Sequence, residues 1–171
     1  MTFKIYAVMT ALVAVWCAGI LAAPVLVHAG FHESADIVYS IFSRVCHQND
    51  AHSFHLEGEK FGVCIRCSAI YFGFLSGLLL MPLSGMRNWN RTPKPIFLIA
   101  VMVPMGVDVL FNAAGIHFST TITRTATGLM FGSVMPWCII PLLGEAWSQL
   151  FIKTKIQSPD SGVSTYVRKT Q

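Results

Sequence analysis

The sequence predicts an all-α, polytopic membrane protein: four transmembrane helices in a bundle, with a short amphipathic helix on one surface. Three observations predict it. Of 171 residues, 54% are hydrophobic and only 12% charged, with a mean hydropathy of +0.59. Soluble domains carry about a quarter charged residues, so too few charges are present to cover a globular surface, and much of that surface must face lipid. Second, the chain holds four apolar runs near the roughly 20 residues that cross about 30 Å of hydrocarbon as a helix. Third, Lys and Arg cluster in the segments between the runs. No basic, aromatic-interleaved stretch suited to nucleic acid appears.

The first run, residues 5–27, is free of charge. Val27-His28-Ala29 resembles a signal-peptide cleavage site, but the run exceeds a signal core of about 7–15 residues, so it reads as a retained anchor. The segment 28–63 follows. Within it, Ile37, Val38, Ile41, Phe42 and Val45 recur at i, i+3/i+4 spacing, predicting an amphipathic helix over Phe31–Val45. The second run, 64–83, contains Arg66. The third, 96–115, contains Asp108, and Pro104 is expected to kink it. The fourth, 121–143, begins beside Arg124. Residues 1–157 therefore read as one transmembrane domain, and the polar stretch 158–171 as a disordered tail.

Charge placement predicts orientation. Arg87, Arg91 and Lys94 fall between runs two and three, and Lys153, Lys155, Arg168 and Lys169 follow run four. Segment 28–63 has only Arg44 and Lys60 against five acids. The positive-inside rule puts both termini in the cytoplasm and segment 28–63 outside a cell membrane. Trp89 then fits an interfacial anchor. The sequon Asn90-Arg91-Thr92 falls on the inner side and is discounted.

All six histidines lie in outer segments, with Cys46, Cys64 and Cys67. Cys64 and Cys67 form a C-x-x-C pair, one helical turn apart. With Cys46 and His47 they predict a Cys₃His metal site, the closed tetrahedral arrangement typical of zinc. His52 and His55 are alternative ligands. His28, His32 and His117 read as solvated interfacial residues, and Cys17 and Cys138 as small buried side chains. A disulfide between Cys64 and Cys67 is the competing reading in an oxidising compartment.

Beneath this cluster the sequence places polar residues within the membrane. Asp108 lies about 18 Å along run three at 1.5 Å per residue, with Asn112 one turn further on the same face. Arg66 and Arg124 fall at a similar depth. Such groups are expensive in lipid and pair toward the bundle interior. The expectation is an Asp108–Arg124 pair bridged by Asn112. Asp108, His52, Arg124, Arg66 and Asn112 are thus the candidate catalytic residues. Met102 and Met105 could ligate Cu(I), but fit packing better. Gly73/Gly77 and Gly128/Gly132 form small-x-x-x-small faces, expected to serve close helix packing or a homo- or hetero-oligomer.

The stretch Cys46-His47, Ser53-Phe54, Gly58, Cys64-x-Arg66-Cys67, Ile70-Tyr71 and Gly73 resembles the domain-of-unknown-function family 2085, a family of multi-pass membrane proteins. Asp108 and Arg124-x-x-Thr127-Gly128 match its second half. The resemblance covers about residues 40–145. It implies the fold and no activity. His52 stands where the family pattern has arginine, and Cys67 where it allows aspartate, which suits a metal ligand better than an obligatory disulfide.

Three functions remain in competition. One is a membrane metalloprotein, with zinc expected. Another is a structural or transport-accessory protein with no cofactor. The third is a thiol–disulfide oxidoreductase that uses Cys64/Cys67 and passes electrons to a quinone. No nucleotide loop, Ser/His/Asp arrangement or dinucleotide fingerprint is present.

Overall fold

A computed structural model describes residues 2–84, 94–115 and 120–157. The basic residues Arg87 and Arg91, Trp89, the sequon, His117 and the tail 158–171 lie outside the described residues. The chain folds as α1 (Thr2–His28), α2 (His32–Ser43), β1 (Ser53–Leu56), β2 (Glu59–Cys64), α3 (Ile65–Leu80), α4 (Pro95–Ala113) and α5 (Thr121–Gln157). Four of these helices are long and apolar enough to cross a membrane: α1, α3 with the short 3₁₀ turn after it, α4 and α5. The protein is a polytopic membrane protein, as composition requires.

The helices end where local chemistry ends them. Gly30, at φ +83°, breaks the chain between α1 and α2. Pro95 opens α4 at a position where its missing N–H matters least. Thr120 caps α5, its Oγ1 accepting the Thr123 N–H at 3.3 Å. Helix α4 runs unbroken through Pro104, and α5 through Pro136 and Pro141. Helix α5 continues well past Leu143, where the apolar run ends, to Gln157.

A two-stranded antiparallel hairpin, β1–β2, stands between α2 and α3. Sequence reading predicted no strand here. The turn is Glu57-Gly58, both at positive φ (53° and 87°). Left-handed geometry at both central residues is the form that matches strand twist in tight hairpins, and glycine adopts it at no steric cost. The register pairs Leu56 with Glu59 and Ser53 with Cys64. The hairpin thereby returns the chain to the start of α3.

Helices α3 and α5 form the central seam. A Cβ on Gly73 would stand 2.6 Å from the Leu129 carbonyl oxygen, and one on Gly128 would stand 2.8 Å from the Ala69 Cβ. Gly77 faces the Ser133 backbone and Gly132 the Ile70 backbone just as tightly. Both small-residue faces are therefore spent on each other within one chain. This is the close helix packing that such faces serve.

Helix α1 covers the seam's flank. At one end the Tyr6 hydroxyl donates to the Leu78 carbonyl at 3.0 Å. At the other, Trp16 packs edge-on against Phe42 of α2 at 4.9 Å and Tyr71 of α3 at 5.9 Å. Helix α2 forms close to the predicted bounds, but its apolar stripe divides. Phe42 is buried with Ile20, Cys46 and Val63, and Val38 packs at the edge. Ile37, Ile41 and Val45 remain exposed, Ile37 at 63%, which leaves a continuous apolar row at the end of the bundle.

Candidate metal centre

Three segments bring the cysteines together. Cys46 ends the turn after α2, its N–H held by the Phe42 carbonyl at 3.0 Å. Cys64 is the last residue of β2 and the N-cap of α3. Cys67 lies in the first turn of α3. The three sulfurs lie within 4.8 Å of one another, and all three are free thiols. The separation of 18 residues between Cys46 and Cys64 is closed by the hairpin.

Backbone amides support the cluster. Cys46 Sγ accepts from the Cys64 N–H at 3.2 Å and from the Gln48 N–H at 3.4 Å. Gln48 adopts φ 49°, and its Nε2 donates to the carbonyls of Tyr39 and Gly62, each at 2.8 Å. One side chain thus ties α2, the Cys46 turn and β2 together. The Tyr39 hydroxyl adds a bond to the Lys60 carbonyl. The Cys64 thiol is pushed down to about 5: the Cys67 thiol donates to it, and the N–H groups of Cys67 and Arg66 and the Cys46 thiol add to this against the opposing effect of burial. An anionic sulfur is the form that binds metal or attacks an electrophile.

The sulfurs form one wall of a cavity of about 230 Å³. His47 and His52 line it, and so do Arg66, Asn112 and Arg124. Among the described residues, neither histidine belongs to the group whose ligand atoms lie within 4.8 Å of one another. His52 Nδ1 lies 3.0 Å from the Ala51 carbonyl, and the tautomer that donates this bond leaves Nε2 as the lone-pair nitrogen. His55 pairs instead with Asp50 at 3.2 Å, away from the sulfurs.

Asp108 accepts a bond from Arg66 of α3, in an ion pair with both side chains largely out of solvent. The depth argument had joined Asp108 to Arg124. The structure joins Asp108 to Arg66, in the first turn of α3, and both arginines line the cavity. Sequence reasoning missed two lining residues, Gln48 and Asn49. Asn49 had a readable signal: an Asn preceding a short helical turn is a cap, and its Oδ1 accepts the Ala51 N–H at 3.1 Å. Gln48 carried none, because its role depends on a left-handed backbone angle.

Fold and site together define a class: a four-helix membrane protein with a thiol cluster at one end of its bundle and charged groups set into the helices beside it. The chain belongs to the DUF2085 family, described as a predicted membrane protein, whose model matches residues 46–138. That match takes in all three clustered cysteines, Asp108 and Arg124. The chain is 32% identical over 108 residues to an uncharacterized protein of Methanocaldococcus jannaschii, covering 63% of this chain and 69% of that one. It is 28% identical over 91 residues to an uncharacterized protein of Methanothermobacter thermautotrophicus, covering 53% of this chain and 80% of that one. No solved structure matches.

Proposed function

We propose that the protein is a membrane metalloprotein holding a divalent ion, zinc by donor type, on Cys46, Cys64 and Cys67. The observation that carries this is the approach of three sulfurs from three segments to within 4.8 Å of one another. Zinc–sulfur bonds of about 2.3 Å in a tetrahedron set sulfurs about 3.8 Å apart, so a small contraction completes the site. The amide bonds to Cys46 Sγ are the outer support that metal thiolates use. The fourth position opens on the cavity, where His47 or His52 could close it as a structural site. The charge pattern of the flanking segments supports placing this end outside a cell membrane, with both termini inside.

Metal analysis of protein purified under reducing, chelator-free conditions tests the reading. One zinc per chain is expected in the wild type, and far less after Cys67→Ser. A metal-free wild type that is folded and fully reduced would sink it.

The depressed Cys64 thiol favours a second reading, thiol–disulfide exchange with Cys64 as nucleophile. In metal-stripped protein, Cys64 is expected to alkylate first. Since its folded value lies below the ordinary value of 9.0, the rate should hold from pH 9 downward and fall only as pH drops through about 5. A rate that instead falls through pH 9 would remove this reading's support.

A further inference from the structure

Helix α2 runs back down α1 instead of across its end. The Phe31 N–H donates to the Leu26 carbonyl at 2.9 Å, which starts α2 beside the last turns of α1. At the other end of α2, the Phe42 ring stands against Gly19, where an added Cβ would meet it at 3.3 Å, and against Trp16 at 4.9 Å. Leu26 and Gly19 are about 10 Å apart along α1 at 1.5 Å per residue, so α2 descends by about that much. A helix lying flat on a membrane surface would keep one depth.

Two helices gauge the level it reaches. The uncharged run of α1, residues 5–27, has its midpoint at Trp16, and Gly19 is about 5 Å from that point. The apolar run of α3, residues 64–83, has its midpoint near Gly73. Tyr71 of α3 packs on Trp16 at 5.9 Å, which puts Gly19 about 8 Å from the middle of that run. Half the hydrocarbon layer is about 15 Å. By either gauge Phe42 lies within it.

The face that α2 covers is the one by which α1 meets lipid. Val8, Leu12, Val15 and Gly19 recur at i, i+4, i+7 and i+11, one face of a helix. The first three are exposed, Val15 at 72%. Phe42 sits on the fourth, about 6 Å further along. The exposed Ile37 and Ile41 thus continue a lipid-facing surface. Charge follows the same gradient: Glu33 and Asp36 are near the turn from α1, and residues 37–43 carry none. The Ser43 hydroxyl is spent on the Ser40 carbonyl at 2.7 Å. Arg44, beyond the helix, has a stem long enough to snorkel.

We propose that α2 is sunk into the leaflet on the side of the thiol cluster, with acyl chains packed on Ile37 and Ile41. Cys46, buried with Ile20 and Phe42, then lies below the lipid headgroups on that flank. The exposed Asp50, His55 and Glu57 of the hairpin region form the water-facing flank. The thiol cluster stands at a wall between lipid and water, whether or not it holds a metal.

The test places 4-trifluoromethylphenylalanine at position 41 by amber suppression, which leaves all cysteines in place, in full-length protein in phosphatidylcholine nanodiscs. ¹⁹F relaxation is measured with dissolved oxygen, which concentrates in lipid, and with a water-soluble gadolinium chelate. The same label at Val15 and at His55 supplies the lipid and water references. At Ile41 the ratio of oxygen to gadolinium effect should approach that at Val15 and exceed that at His55 several-fold. At Ile37, nearer the turn, it should fall between Ile41 and His55, and this site carries the test if the label at 41 prevents folding. A ratio equal to that at His55 overturns the proposal by placing α2 in water. Protection from both agents overturns lipid as the occupant and assigns the row to a protein partner or a second copy of the chain.

Discussion

Helices α3 and α4 follow one another in the chain, yet they are held by opposite means. The apolar window of α3 is 39% buried and that of α4 only 6%. Helix α3 lays two glycines directly on the backbone of α5. Helix α4 presents most of its side chains outward, leans on α5, and reaches α3 through the Asp108–Arg66 ion pair. Lipid gives apolar helices no reason to prefer one another, so each needs a specific attachment. In α3 that attachment is backbone proximity. In α4 the described attachment to α3 is the Asp108–Arg66 charge pair.

Three substitutions test this contrast, in falling order of effect. Asp108→Asn removes the carboxylate that Arg66 pairs with at a site mostly out of solvent. It should destabilise the fold by about 3–5 kcal/mol, read as a shift in denaturant unfolding of the micellar protein by helical circular dichroism. Replacing both partners, Arg66→Met with Asp108→Leu, should recover most of that loss. A wild-type unfolding curve for Asp108→Asn would mean that α4 is held by something other than the pair.

Gly132→Ala comes next. Its methyl would meet the Ile70 carbonyl group, which as backbone cannot swing aside. A loss of about 1–3 kcal/mol is expected, by the same unfolding measurement. Gly106→Ala in α4 is the counterpart. A Cβ there meets nothing within 4 Å. The expected change is neutral or stabilising by up to about 1 kcal/mol, from better helix propensity. Equal losses at Gly132 and Gly106 would erase the distinction between the two helices.

The membrane spans were legible because the bilayer imposes length and apolarity on each one separately. Residues 5–27 and 96–115 needed no partner to be recognised. The hairpin was not read, although Glu57-Gly58 is a two-residue turn with glycine at its second position. Strand β1 has only four residues, too few for an alternating pattern to stand out beside two histidines that drew attention as ligands. In the candidate site, the convergence of Cys46, Cys64 and Cys67 was legible from spacing and residue type. The partner of Asp108 was not. Depth along a helix is fixed by sequence position, whereas the neighbour a side chain meets depends on helix rotation and packing order. The glycine faces were recognised as packing surfaces, but only the fold shows that they pair with each other.

That pairing has a consequence in time. The seam joins α3 to α5, and α4 is made between them. The stretch from Gly77 to Gly132 takes roughly 3–10 s to synthesise at about 5–20 residues per second. Throughout that interval the bare face of α3 has no partner, and α4 must come to rest without taking its place. The bulky Val103, Val107 and Leu110, which α4 turns outward, suit a helix that passes that face and leaves it open for the next one to arrive.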